Sequence, residues 1–306
     1  MTSAARGPAT IGMVCVVVVW ATQMPLSQEV LRSIDQYSFA ILRYLIGCSL
    51  FVATLAWREG RAGFDLGGRA GAVVWHGVCG FTVFGIFVFW ALYYTTPAHV
   101  AVIMSLQPMI IAFWMWARHG RAPTPPVLAC IGIAFVGAAL MITRGDPMAA
   151  LAGGSATGDA MALLGAAGWV VYTLGAARLP GFSPLKYTTL CALAGTAGIV
   201  ILTALLVPLD LARIPTRAEV MGELWAIVYI AVVCFYGAIL MFTVGVARLG
   251  AVNALLIGNA TPVLVFAIDV WRGLAPLPIE WLGAAMVVSA LVANNLIEAR
   301  RTRAAS

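Results

Sequence analysis

Charge is what this sequence has least of. Asp, Glu, Lys and Arg make up 10% of its 306 residues, against 62% hydrophobic residues and a mean hydropathy of +0.97. A soluble domain of this size needs far more polar surface, which excludes that class and leaves a membrane protein. Short alternating segments are missing too, which argues against a β-barrel; the apolar runs are continuous and long enough to cross a ~30 Å hydrocarbon core as helices. Acid–base machinery is thin. Three histidines, no HxxxH and no DxxD cluster leave a membrane enzyme without convergent catalytic groups, so no catalytic residue is assigned. The phosphate-loop pattern GxxxxGKS/T is absent and no loop could house a nucleotide domain, which excludes ATP-driven transport within this chain. Six cysteines (Cys15, Cys48, Cys79, Cys130, Cys191, Cys234) lie in apolar runs, none spaced CxxC. They read as small buried thiols, with no disulfide framework, no metal site and no cofactor expected.

What is present is a series of apolar runs punctuated by charge, glycine and proline. Helices are predicted at 9–28, 37–57, 71–94, 98–117 and 126–143, then at 159–177, 184–206, 223–247, 251–269 and 279–297. The stretch MTSAARGPATIGMVCVVVVW reads as the first span rather than a signal peptide, because no small-residue cleavage site follows. The small-residue stretch TRGDPMAALAGGSATGD (Thr143 to Asp159) separates the halves. This gives a first five-helix unit at 1–145, a connector at 146–158 and a second five-helix unit at 159–306.

With the N-terminus inside, the cytoplasmic segments hold Arg6, Arg58, Arg61, Arg69, Arg118, Arg121, Arg178, Lys186, Arg248, Arg300, Arg301 and Arg303. The external segments hold only Arg32, Arg144, Arg213, Arg217 and Arg272, and Arg43 falls within a span. The positive-inside rule then places both termini in the cytoplasm and the protein in the inner (cytoplasmic) membrane. The net charge of +6 follows from that topology and calls for no nucleic-acid partner.

Five spans per half is an odd number, so the halves enter the bilayer from opposite sides. If they share a fold they form an inverted repeat, an architecture of secondary transporters. Pro108 aligns with Pro262, and the same offset pairs Thr96-Pro97-Ala98-His99 with Gly250-Ala251-Val252-Asn253. At shifted offsets Trp20 pairs with Trp169, and GIAFVGAAL at Gly132 with GAAMVVSAL at Gly283.

A proline inside a helix removes one hydrogen bond and crowds the preceding turn, at about 3 kcal/mol in a soluble helix. Pro108 and Pro262 fall near the middle of helices four and nine, with Ser105 and Gln107 beside one and Asn259 and Thr261 beside the other. They read as paired hinges facing a watery cavity; static packing kinks are the alternative. Counting ~1.5 Å per residue places Trp20, Gln23, Phe81, Thr82, Phe84, Gln107, Trp169, Tyr172, Tyr236 and Asn259 near the midplane. Aromatic rings there could stack on a substrate ring or hold an ammonium, and amides could orient polar groups. Packing against a neighbouring helix is the competing role for any one of them.

No Asp or Glu is predicted deep in a span, so carboxylate-driven ion coupling is not expected. Asp159 and Glu280 sit at helix starts and Asp269 at a helix end. His76, ~9 Å inside the cytoplasmic face, could titrate near neutral pH, and His99 lies at the start of helix four; both are open to a structural role as well. Arg43 either pins helix ends or attracts a substrate carboxylate. Small-residue ladders on helix five (Cys130, Ala134, Ala138) and helix ten (Ala285, Ser289, Ala293) suggest scaffold helices packing on each other or on a second subunit, making a homodimer the candidate oligomer.

The Trp late in the first helix of each half, LRYL with Arg43, GDAMALLGAAGWVVYT, and the paired AHVAVIMSLQP and AVNALLIGNATP resemble the drug/metabolite transporter superfamily, specifically its EamA-type exporters. The resemblance spans essentially the whole chain. It implies ten transmembrane helices in two inverted five-helix repeats, with helices one, three, four, six, eight and nine lining a central cavity. It further implies alternating-access export of small organic metabolites, with amino acids, including the aromatic ones of YddG-type members, a recurring substrate class. Proton-coupled export of drugs or other metabolites is the nearest alternative. A membrane enzyme or a structural membrane protein is the alternative from another class, and neither explains matched mid-helix prolines with buried Trp.

Overall fold

The computed structural model describes residues 6–94, 100, 103–120, 123–146, 148, 156–271, 273 and 275–304; His99, Arg121, Arg272 and most of the predicted connector lie outside them. All regular structure among these residues is helical. Among the described residues, six stretches are long and apolar enough to cross a membrane: Gln36–Phe64, Ala70–Ala91, Pro125–Thr143, Ala156–Ala176, Pro184–Leu209 and Leu224–Leu249. Gly7–Gln23 and Pro278–Asn294 are shorter apolar stretches within longer helices. Large apolar side chains such as Ile11, Leu45, Val74, Ile201 and Leu205 are exposed on the outer surface, as a lipid-facing protein requires.

The first two helices are α1 (Arg6–Ser33) and α2 (Gln36–Glu59). α1 outruns its predicted end at 28 because Val30 and Ile34 pack with Ala226, Ile227 and Ile230, which holds the polar tail in place. α2 begins where Asp35 Oδ1 accepts from the Tyr37 and Ser38 amides at 2.9 and 3.1 Å, and it ends at Gly60, whose φ of 60° suits a residue without Cβ.

The third span is not a uniform helix. α3 (Ala70–Gly77) widens into a π-helical segment, Val78–Val83, before α4 (Phe84–Tyr94). The matching span of the second half repeats this: α10 (Leu224–Tyr229) widens at Ile230–Gly237 and continues as α11 (Ala238–Leu249). Between them in the chain lie α5 (Gln107–His119), α6 (Pro125–Thr143), α7 (Ala156–Arg178), α8 (Pro184–Leu206) and the short α9 (Arg217–Gly222). The α9 cap is reciprocal: Thr216 and Glu219 bond each other's backbone, and these bonds, with Arg213, hold the Glu219 carboxyl below the usual carboxylate range.

Helices four and nine differ from expectation. Each was predicted as one helix with a proline in its interior, at about a 3 kcal/mol cost. Instead the chain turns at Leu106 and α5 starts at Gln107, so Pro108 occupies the first turn. The ninth helix is likewise two pieces, α12 (Ala251–Gly258) and α13 (Thr261–Trp271), with Pro262 the second residue of the latter. A first-turn proline gives up no intrahelical hydrogen bond, so the interior penalty is avoided. The chain ends with α14 (Pro278–Ala304), again longer than predicted.

The halves interleave. The third span packs on α7 and α8 of the other half, and the eighth span packs on α1 and α2, the reciprocal arrangement. α2 meets α8, α5 meets α12, and α6 lies along α14. The last contact is close: a Cβ on Gly137 would come within 2.6 Å of the Gly283 carbonyl, and one on Gly283 within 2.5 Å of the Gly137 carbonyl. On α6 the buried face carries Cys130, Ala134 and Ala138 as expected. On α14 it carries Gly283, Val287, Ala290 and Asn294; of the predicted ladder, Ala285 and Ser289 point outward, and Ala293 is partly buried against the core shared with α6.

Candidate substrate-binding site

Trp169, on α7 and 6% exposed, is the centre of a cluster of rings drawn from both halves. Trp20 on α1 meets it edge-on at 5.9 Å, Phe84 on α4 at 5.0 Å, Phe242 on α11 at 5.4 Å and Tyr172, one turn along α7, at 5.2 Å. Phe81 stands behind, 6.5 Å from Trp169 and 5.0 Å from Tyr172. Phe81 and Tyr172 are fully buried; Trp20 and Phe84 are half-buried.

The two π segments and these aromatics are fastened together. Trp20 Nε1 donates to the Cys234 carbonyl at 3.3 Å, inside the second segment. Tyr44 Oη donates to the Phe81 carbonyl at 3.1 Å, inside the first. A widened turn disturbs the regular backbone pairing, and π segments occur at functional sites for that reason. Beyond Trp169, the Tyr172 hydroxyl bonds Thr243 at 2.9 Å and Thr188 at 3.2 Å, and Tyr187 Oη donates to the Tyr172 carbonyl at 2.6 Å. Tyr172 is thus polar, buried and satisfied.

The two interrupted helices meet at their breaks. Buried Asn259, at the end of α12, donates through Nδ2 to the Ser105 carbonyl at 3.0 Å. The Met109 amide turns to the Leu106 carbonyl at 2.9 Å instead of reaching back a full α-helical turn to Ser105. Thr261 Oγ1 closes the other break on the Gly258 carbonyl at 2.7 Å.

The remaining predicted residues are dispersed. Gln107 is half-buried and its Nε2 contacts Met104 Sδ at 3.6 Å, while Gln23 is half-buried on α1. Tyr236 faces away from the tryptophans: its ring lies 4.9 Å from Phe51 and its hydroxyl bonds Thr54 at 2.7 Å. Phe242, which the depth count does not include, stands beside Trp20 and Trp169. A depth count fixes level and not facing, and the π segment, with extra residues per turn, rotates positions within and after it away from a 3.6-residue count. His76 is half-buried, 5.9 Å from the Tyr187 ring, with its Nδ1 buried and without a hydrogen-bond partner.

Arg43 is 6% exposed. Its guanidinium carbon lies 5.6, 4.9 and 5.7 Å from the rings of Phe39, Tyr44 and Phe89. Such contacts contribute ~0.5–2 kcal/mol each. Burying an ion without its counter-ion costs several kcal/mol, a cost of the same order as the three ring contacts together supply. The ion pairs among the described residues, Arg144–Glu280 at 3.4 Å and Arg213–Glu219 at 2.8 Å, do not include it. Those residues also hold no group of three or more His, Cys, Asp or Glu arranged to bind a metal.

Known proteins share this sequence pattern. The model of the EamA-like transporter family matches twice, over residues 7–143 and 156–296. The chain belongs to the EamA-like transporter family. Among relatives of this EamA-like protein, the uncharacterized transporter YrdR of Bacillus subtilis (strain 168) is 26% identical over 283 residues, covering 91% of this chain and 88% of YrdR. The uncharacterized transporter YyaM of the same organism is 26% identical over 263 residues, 85% of each chain. A solved crystal structure, 20% identical, matches 95% of this chain and 98% of its own with a TM-score of 0.76, which establishes the shared fold. The EamA-like chain is therefore a multi-pass membrane protein built from two copies of one family unit, and its family transports small molecules across membranes.

Proposed function

We propose that this EamA-like protein is a secondary transporter of the inner membrane that exports small organic metabolites, chiefly neutral and aromatic amino acids, by alternating access. In this reading the helices make ten transmembrane spans in two inverted five-helix repeats, 1–145 and 159–306, with both termini cytoplasmic. The substrate lies between the repeats, against Trp20, Phe84 and Trp169, and Pro108 and Pro262 mark the hinges.

One observation carries the reading: two interrupted helices, one from each half, are joined at their breaks by Asn259 and Ser105. Discontinuous helices at a repeat interface are where secondary transporters hold substrate and change shape. The ring cluster beside them supplies apolar and π surface for a neutral or aromatic side chain. A proton-coupled reading, with drugs or other metabolites as cargo, draws support from the unpartnered Nδ1 of His76.

Counterflow in proteoliposomes tests both. Vesicles loaded with one unlabelled amino acid at a time should accumulate the labelled form with no ion gradient. Uptake that requires an imposed pH gradient and disappears in His76→Gln would favour the proton-coupled reading. Silence with and without gradients, for amino acids and drugs alike, would overturn transport of these classes.

A further inference from the structure

Arg43 is a cation nine-tenths buried in the protein with most of its hydrogen-bonding capacity unused. A guanidinium has five N–H donors in a flat fork shaped for a carboxylate. Among the described residues its one hydrogen bond runs from Nη2 to Tyr44 Oη at 3.4 Å, at the outer limit for such a bond, and its Nε is buried without an acceptor. No carboxylate of the described residues pairs with it. An ionisable side chain kept this way inside a membrane protein marks a functional site.

Its position connects it to the aromatic cluster. Tyr44, under the guanidinium, stacks on Phe235 at 4.7 Å and meets Phe81 edge-on at 6.1 Å, and Phe81 in turn contacts Trp169. Tyr44, under the cation, touches both π segments, bonding the Phe81 carbonyl in the first and stacking on Phe235 in the second. The cation thus lies between the two irregular segments, where helix geometry is most readily changed.

The geometry points to Arg43 as the anion-binding point of the transport site, taking the carboxylate of a small organic acid or zwitterion whose apolar part lies against the ring cluster. This rests on the export reading and narrows it: cargo must carry a carboxylate, and amines or amides of the same shape are refused.

The test uses purified full-length protein in phosphatidylcholine vesicles, which removes anionic lipid headgroups as a source of the same chemistry. Probes come in matched sets built on a benzyl, an isobutyl and a methyl group. Each set contains the amino acid, its amide, the acid lacking the amine and the amine lacking the carboxylate. Thermal stabilisation and counterflow competition are read for each. The carboxylate-bearing probes of at least one set should stabilise and compete while the matching amine and amide do not. Arg43→Lys should raise the half-saturation concentration about tenfold, the value of one charge-assisted hydrogen bond, and Arg43→Gln should abolish the carboxylate preference.

If Arg43→Gln does not fold, the Lys variant and the wild-type probe series decide. Carboxylates without effect, amines equal to acids, or an Arg43→Lys protein indistinguishable from wild type would overturn the assignment. The outcomes separate the two claims. Transport of amines alone removes Arg43 from the site and leaves the transporter standing; carboxylate binding without counterflow keeps the site and removes the carrier.

Discussion

The side-chain amide of Asn259 donates to the backbone carbonyl of Ser105 at 3.0 Å, and each of these residues stands three positions before its helix's proline. One hydrogen bond therefore joins equivalent points of two interrupted helices that are 154 residues apart in sequence. A movement of either break is felt at the other through this buried contact. Replacing Asn259 with Leu removes the donor from that carbonyl, at about 1–3 kcal/mol for a buried group losing its partner. The variant should melt several degrees lower in detergent and turn over more slowly in counterflow. Unchanged melting and turnover would reduce the contact to an incidental one.

The prolines themselves should matter less for folding than for rate. Both occupy the first turn of a helix, where no backbone hydrogen bond is lost, so Pro108→Ala and Pro262→Ala should each change stability by less than about 1 kcal/mol. What alanine restores is an amide that lets the helix run on through the break. Maximal counterflow rate should fall while half-saturation stays near its wild-type value. Equal rates in both variants would mark the breaks as static.

How much of this was readable from residues alone depended on the kind of signal. Six of the predicted spans were legible because bilayer thickness forces long apolar runs, and the pairing of Pro108 with Pro262 was legible as a repeat. Trp20, Trp169 and Phe84 were found together because depth from a helix end is a linear count. That Tyr236 turns to Phe51 while Phe242 joins the rings was not legible, because nothing in VCGFTV or IAVVCFYG announces a π segment, and one widened turn shifts the face of all that follows. The break at 259–260 was hidden for another reason. Proline specifies where a helix cannot continue but not whether it bends or restarts, and here the choice goes with a tertiary bond from Asn259 to Ser105 and a local one from Thr261 to Gly258. The ladder on α14 failed at Ala285 and Ser289 because small residues lie on two faces of that helix, and only contact with α6 at Gly137 selects one.

The tryptophans should separate by role. Trp169 is buried among five rings, so Trp169→Ala should cost ~3–5 kcal/mol, as deleting a large core aromatic does. Trp169→Phe retains most of that packing and should shift substrate preference rather than stability. Trp20→Phe keeps a ring but withdraws the indole donor from the Cys234 carbonyl, at ~1–3 kcal/mol, and should lower the melting temperature more than it alters half-saturation. The check is a paired measurement of melting and counterflow kinetics on all three variants. Identical substrate preference in Trp169→Phe would remove that ring from the binding surface.

The close contact of α6 with α14 lies outside the ring cluster. At Gly137 and Gly283 the backbones of α6 and α14 approach so closely that neither position has room for a methyl group. Gly137→Ala and Gly283→Ala should each destabilise by about 1–3 kcal/mol, the range for overpacking a fitted interface. Because these helices carry none of the ring cluster, the surviving folded protein should keep wild-type half-saturation. The double variant offers a sharper test. Each added methyl pushes the same pair of helices apart, so the second should cost less than the first, giving a combined loss below the sum. Strict additivity, or a change in half-saturation, would mean that α6 and α14 transmit to the transport site rather than bracing it.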